Sequence, residues 1–461
     1  MKQFMIAAWL LSASAAIAQK NPAPFKAGDK VAFVGNSITE AGFYELYIWQ
    51  YYQLHFPKRR ILVMNAGIGG DVAGQMLTRL DDDVLAQKPS VVVLTFGMND
   101  SRYFEYWNKP EADVRKEAVA TSYNSYLEIE KKLKAVPAVQ KILMASSPFD
   151  ETMTGPKNNF KGKHQTMLEI ATFQQEAAKK NNWAYVDLIH PMTEINQRGQ
   201  KKDTNFTITG TDRIHPGNAG HLAMAWLFLK AQGLTNSVVA DVAINAATKK
   251  LTKAVNSAVT NLKVAPQQIS FDYKSNSLPF PIDSISRLWG NPQKLSEALP
   301  VIPFTDELNR EMLAVTGLKS SSKYLLSIDG ENIGEWSGAD FLKGINLALE
   351  HKTPQYKQAE QIAELNLSYR ELEQKLRAYY WLQYNFFRNK GMYLKDDAAA
   401  LDSVNIAPPS DWAVASKKEN YQAAIKKENR IGWENEMKAI ADKIYTINKP
   451  VKRRVVVREA K

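Results

Sequence analysis

Cysteine is absent from the 461 residues, so the chain can form no disulfide and carry no lipidated N-terminal cysteine; its stability must come from its core. Long apolar runs are also missing. The stretch from Phe4 to Ala16 falls short of the roughly 20 residues that span a bilayer, and no later stretch is longer, so no stable membrane anchor is expected. With Lys2 before it and Ala16-Ile17-Ala18 after it, this stretch reads as a secretory signal peptide over residues 1–18, cut before Gln19, and the protein as exported to a bacterial periplasm or secreted. Charge of one sign is never concentrated. The 59 Lys and Arg against 48 Asp and Glu give +11, scattered through stretches rich in glutamate and alanine apart from Lys452-Arg453-Arg454, and no aromatic-and-basic ladder points to nucleic acid. Among the six histidines, His55, His164, His190, His221 and His351 show no pairing at metal-ligand spacing, so neither a metal nor another cofactor is expected.

Three familiar glycine motifs are incomplete. A nucleophile elbow needs glycine two residues either side of its serine; Gly35 precedes Ser37, but Thr39 follows it. A dinucleotide fingerprint beginning at Gly67 places Val72 where a small residue must let helix and strand approach, and no Gly-Lys-Ser/Thr follows to make a phosphate loop.

What is present is four short blocks in order: Gly35-Asn36-Ser37-Ile38-Thr39, Asn65-Ala66-Gly67-Ile68-Gly69-Gly70-Asp71, Gly97-Met98-Asn99-Asp100, and Asp212-Arg213-Ile214-His215-Pro216. Each of the first three follows an apolar β-branched run, which places Ser37, Gly70 and Asn99 at the C-terminal ends of parallel strands, where open α/β sheets bind ligands. In the fourth, an acid precedes a histidine by three residues. One loop can then hold both, with the carboxylate on one ring nitrogen and the serine on the other. A backbone N–H approaches a tetrahedral intermediate closely where no Cβ intrudes, as at Gly70, and the Asn99 amide donates without bringing a charge.

In these four blocks the chain resembles the SGNH (GDSL-type) hydrolases over about residues 28 to 232. The resemblance implies a flavodoxin-like three-layer α/β/α sandwich on a parallel five-stranded sheet. It implies Ser37 as nucleophile, His215 as base, Asp212 as its partner, and an oxyanion hole made by the N–H groups of Ser37 and Gly70 with the Asn99 side chain. One departure is Asn36, where the family usually has aspartate; because the catalytic aspartate belongs to the last block, the triad stays whole.

Strand-like runs at Val31–Val34, Ile61–Asn65, Val91–Phe96, Ile142–Ser146 and Ala184–Leu188 alternate with helical patterns such as Val114–Leu133, Thr166–Lys180 and Gly217–Leu229, which implies parallel crossovers. The chain is therefore divided into the signal peptide, a hydrolase domain over 19–234, a mixed β-rich subdomain over 235–354 and a helical region over 355–461. In the middle part, Val239–Leu262 reads as helix, Met312–Thr316 and Tyr324–Ile328 as an antiparallel pair, and Asp329-Gly330 as a second turn. Beyond Gln355, residues Ile362, Leu365, Tyr369, Leu372, Leu376, Tyr379 and Tyr380 mark one face of a long helix, and Tyr421–Ile444 a second helix packed back on it. The aromatic cluster Tyr379-Tyr380-Trp381, Tyr384, Phe386 and Phe387 could bind sugar rings, but its simpler reading is packing between helices and against the β-rich part.

The expected chemistry is hydrolysis of short-chain esters, O-acetyl groups on a carbohydrate above all, through an acyl-enzyme. Ser147–Lys163 is a candidate loop over the site, and Phe43, Tyr44, Arg102 and Tyr103 flank the blocks without a continuous apolar lid. The alternatives are a lipase or lysophospholipase-type acyl hydrolase, and a non-catalytic glycan-binding protein on the same fold.

Overall fold

The computed structural model describes residues 19–155, 158–288 and 290–460; the expected signal peptide, 1–18, lies outside the described residues. Five strands, β1 (Lys30–Gly35), β2 (Leu62–Gly67), β3 (Val91–Phe96), β4 (Gln140–Ala145) and β5 (Ala184–Val186), form one parallel sheet in the order β2-β1-β3-β4-β5. β3 is buried at every position, so it carries a continuous apolar run in place of alternation. Tyr44–His55 packs with Asn218–Ala231, while Ala73–Arg79, Glu111–Lys134 and Lys163–Lys180 pack together as a second helical layer. The result is the expected three-layer sandwich. Each fully buried aliphatic or phenyl side chain in it contributes about 1.5–3 kcal/mol.

The middle of the chain departs from its sequence pattern. Val239–Leu262 is not helical: it forms β6 (Ala240–Asn245), β7 (Lys250–Val255) and most of β8 (Ser257–Ala265), turning at Lys249 and Asn256, both with left-handed φ. β9 (Gln268–Ser275) follows. Met312–Thr316 and Tyr324–Ile328 do lie in strands, β10 (Glu311–Thr316) and β11 (Lys323–Ile328), but they do not pair. β10 runs parallel to β6 in a four-stranded sheet completed by β7 and by β13 (Ile345–Asn346). β11 turns at Asp329-Gly330 into β12 (Glu331–Ser337) in a second, five-stranded sheet. Side chains from both sheets, including Val242, Ile244, Phe271, Val315 and Leu326, share a core of their own.

The region beyond Gln355 is mainly helical but ends in a strand. Thr353 accepts the Tyr356 N–H and Pro354 occupies the first turn of a helix that runs to Trp381, burying Ile362, Tyr369, Leu372, Leu376 and Tyr379. The second helix is split at Ile425-Lys426 into Lys418–Ala424 and Lys427–Ile447, the latter lying against the long helix. Arg453–Glu459 then forms β14, in the centre of the five-stranded order β12-β11-β14-β9-β8. The basic tail is thus tied down: Arg454 pairs with Asp272, and Arg453 with Asp329. The hydrolase core also reaches past residue 234, taking in Phe280, Phe304 and Leu308 from the middle region and Ile362, Leu372, Met437 and Ile444 from the helices.

Candidate active site

All five residues singled out from the four blocks lie at the C-terminal edge of the parallel sheet. Ser37 is the first residue of a short helix, Ser37–Glu40, that follows β1; Asn36 caps it by accepting the Ile38 N–H at 3.0 Å, a bond a neutral amide makes as well as a carboxylate. A Cβ on Gly35 would lie 2.0 Å from the Thr39 hydroxyl, so glycine there lets the chain fold back tightly beneath the serine.

The Ser37 Oγ lies 2.9 Å from His215 Nε2. On the opposite side of the ring, His215 Nδ1 lies 2.6 Å from Asp212 Oδ2. The other carboxylate oxygen, Oδ1, accepts the N–H groups of Ile214 and His215 at 2.9 Å each, which closes the loop on itself. Burial by itself would raise the Asp212 carboxyl, but the hydrogen bonds and charge of His215 outweigh it and hold the group below the usual carboxylate range. The side chains of His215 and Asp212 are 49% and 48% exposed. Both side chains of the pair are therefore reached by solvent.

Gly70 and Asn99 stand at the ends of β2 and β3. The space around a Cβ at Gly70 is open, so crowding does not require glycine there; the left-handed φ of +87° does. No protein group among the described residues accepts the N–H of Ser37 or of Gly70. The Asn99 amide is locked in one orientation: its Oδ1 accepts the Tyr103 hydroxyl at 2.6 Å and its Nδ2 donates to the Asp71 carbonyl at 2.9 Å, which leaves the second amide hydrogen free. Beneath this loop the fully buried Lys163 ammonium donates to the Met98 and Arg102 carbonyls and to the Ser101 hydroxyl, and lies 3.7 Å from the centre of the Tyr103 ring. Burial pushes its pKa well down.

Residues outside the blocks hold them in place. Buried Arg79 donates to the Gly35 and Ala66 carbonyls and pairs with Asp71 and Asp83. Arg377 grips the same Asp83 with two bonds of 2.8 Å and donates to the Gly67 carbonyl, while the Trp381 indole donates to the Gly69 carbonyl at 2.9 Å. From the same helix, Gln374 donates to the Glu40 carbonyl and Arg370 to that of Ala41. Sequence reasoning missed these four donors. The available signal was their spacing of four, three and four, which sets them on one stripe beside the apolar face. On the histidine side, Arg213, buried and with a φ of +70°, donates to the carbonyls of Asp150, Met153 and Gly155, pinning part of the 147–163 loop beside His215. Asn291 of the middle region donates to the His215 carbonyl. Phe43 and Tyr44 are buried in the core, and His164 is turned to the Phe149 carbonyl, so none of the three lines the open site. Of the aromatic cluster, Tyr379, Phe386 and Phe387 pack in the helical region's own core, and Tyr380 packs against both that core and the hydrolase core.

Residues 33–223 match the model of the GDSL-like lipase/acylhydrolase family, and residues 360–449 match that of the diltiazem deacetylase C-terminal helical domain. A gut microbial diltiazem-metabolizing enzyme of known structure is 43% identical, with a TM-score of 0.92 over 96% of this chain and 100% of its own. An acetylxylan esterase from Geobacillus stearothermophilus is 26% identical over 223 residues, 45% of this chain and 94% of that protein. Its crystal structure aligns at 25% identity and a TM-score of 0.36 over 45% of this chain and 95% of that one. No helix among the described residues is long and apolar enough to cross a membrane. The chain belongs to the GDSL-like, or SGNH, hydrolases that carry this C-terminal helical domain, and it is a serine hydrolase acting on ester bonds.

Proposed function

We propose that the protein removes O-acetyl groups from a ring-bearing alcohol, a glycan in the first place, by a Ser37-His215-Asp212 mechanism. The observation that carries the mechanism is the unbroken hydrogen-bond chain from the serine hydroxyl through both imidazole nitrogens to the carboxylate. Ser37 Oγ attacks the acetyl carbonyl as its proton passes to His215 Nε2. The oxyanion forms against the free N–H groups of Ser37 and Gly70 and the free amide hydrogen of Asn99, each such donor being worth about 3 kcal/mol in the transition state. Collapse expels the alcohol, which takes the proton from His215 and leaves an acetyl-serine. Water, deprotonated by His215, then releases acetate and restores the hydroxyl. Asp212 keeps the imidazole in the required tautomer and balances its charge while protonated.

Two observations support acetyl over long acyl groups. The site is open, with the His215 and Asp212 side chains about half-exposed. The acetylxylan esterase is named for an acetylated glycan, and residues 360–449 match a domain named for a diltiazem deacetylase. On this reading 19–234 is the hydrolase unit, 235–354 and 355–461 are appended to it, and residues 1–18 direct export. Esters of one alcohol with acetyl, butyryl and octanoyl groups test it, together with acetate release from acetylated xylan. A steep fall in rate with chain length and release from xylan are expected; preference for octanoyl would establish the lipase-type alternative.

A further inference from the structure

Two of the most exposed aromatic side chains of the protein stand side by side near the site: Phe104, 61% exposed, and Trp107, 55% exposed. Scattered exposed apolar residues are ordinary, but these two are adjacent and rigidly backed. A short 3-10 turn over Phe104–Trp107 fixes them, their rings meet edge to face at 5.2 Å, and both pack on the buried ring of Phe160. Trp107 lies nearly parallel to Phe160, 28° off at 5.2 Å, so one indole face is covered and the other is presented to solvent.

The patch is continuous with the reaction centre. Phe160 meets the Tyr103 ring at 5.5 Å, and the Tyr103 hydroxyl is the group that fixes the Asn99 amide. Its supporting loops follow β3 and β4, on the same edge of the sheet as Ser37. The exposed Asn108 amide beside the patch donates to the Phe104 carbonyl. An exposed indole face joined through Phe160 and Tyr103 to the Asn99 loop is suited to a ring carried by the leaving alcohol.

We propose that Phe104 and Trp107, seated on Phe160, form a subsite that binds a ring in the alcohol portion of the ester, either a pyranose through its C–H face or an aryl group through its π face. The assignment rests on the acetylesterase reading above. It makes Trp107 a specificity residue that acts on binding and not on the acyl-transfer steps.

The test compares wild type with Trp107→Ala, Trp107→Phe and the double Phe104→Ala/Trp107→Ala on three esters: acetylated xylo-oligosaccharide, 1-naphthyl acetate and vinyl acetate, which has no ring. Trp107→Ala is expected to raise KM about tenfold on a ring-bearing ester with kcat retained and vinyl acetate unchanged, and Trp107→Phe to recover most of the loss. A loss confined to the oligosaccharide assigns a pyranose, and one confined to the naphthyl ester an aryl ring. Unchanged KM on both ring-bearing esters, or an equal loss on vinyl acetate, would overturn the proposal. Binding of xylo-oligosaccharide and of 1-naphthyl acetate to the Ser37→Ala protein, followed by titration calorimetry, separates the two readings. If wild type hydrolyses none of the esters, the esterase reading fails alone, and the subsite stands or falls on whether adding Trp107→Ala weakens that binding about tenfold.

Discussion

The two halves of the site are braced in different ways. On the serine side, Arg377, Trp381, Gln374 and Arg370 reach in from one helix more than 300 residues away in sequence, and each donates to a backbone carbonyl of the Ser37 helix or of the loop that carries Gly70. One of the four donors, Arg377, belongs to a buried charge network with Arg79, Asp71 and Asp83. On the histidine side the supports are local or neutral: Asp212 closes its own loop, Arg213 ties it to a neighbouring one, and Asn291 adds a single amide bond. Oxyanion donors must be fixed before charge develops, whereas a histidine that accepts and returns a proton tolerates small shifts. The stiffer support lies where preorganisation matters most.

The largest expected effect ignores the difference between the halves: Ser37→Ala and His215→Ala should each lower kcat by about 10⁴-fold or more, since members of a triad act as one unit. Residual turnover near wild type in either would remove that residue from the mechanism. Next comes Asn99→Ala, with kcat down roughly 10² to 10³-fold and KM little changed, read by steady-state kinetics; a change confined to KM would make Asn99 a ground-state contact. Arg377→Met tests the charged brace through stability. It leaves Asp83 buried with one partner fewer, and loss of about 3–5 kcal/mol in chemical denaturation is expected. Trp381→Phe keeps the ring and removes the bond to the Gly69 carbonyl, and Asn291→Ala removes the bond to that of His215. The first should lower kcat several-fold, the second less than about twofold, and equal effects would erase the asymmetry.

The smallest effect concerns pH. Glu311, which accepts from Tyr273 and Gln355 where the middle region meets the long helix, is pushed up to about 7 by burial. A carboxyl raised on folding is most favourable while protonated, so its contribution is full below the ordinary glutamate range and is lost as pH rises through about 7. Denaturation midpoints of Glu311→Gln measured from pH 4.5 to 8 should therefore fall less steeply than those of wild type.

The hydrolase sheet was legible because its buried strands are contiguous apolar runs and its chemistry sits in the turns just after them. In the middle region the strands at Met312–Thr316 and Tyr324–Ile328 and the turn at Asp329-Gly330 were legible, but Val239–Leu262 was not, because every position of β7 is exposed and none of β8 is buried, leaving no strong apolar alternation there to separate them from an alanine-containing helix. The pairing of β10 with β6 was equally hidden, since a strand's partner 70 residues upstream leaves no local mark. β14 did leave one: Val455 and Val457 alternate inward, but three basic residues ahead of them disguised the strand as a solvated tail. The four blocks could be read from sequence; the arginines and tryptophan that hold them could not, because their targets are carbonyl groups, and a carbonyl carries no sequence signature.

The place of β14 bears on how the protein is made. β9 and β11 lie on either side of it, so two strands synthesised long before must wait beside an open slot until residues 453–459 have emerged. Until then both present unpaired edges, the feature most prone to wrong pairing between chains. Closure of this sheet is consequently a late, long-range event, and a ribosome stalled short of Arg453 would hold a chain whose sheet has its outer strands but not its middle.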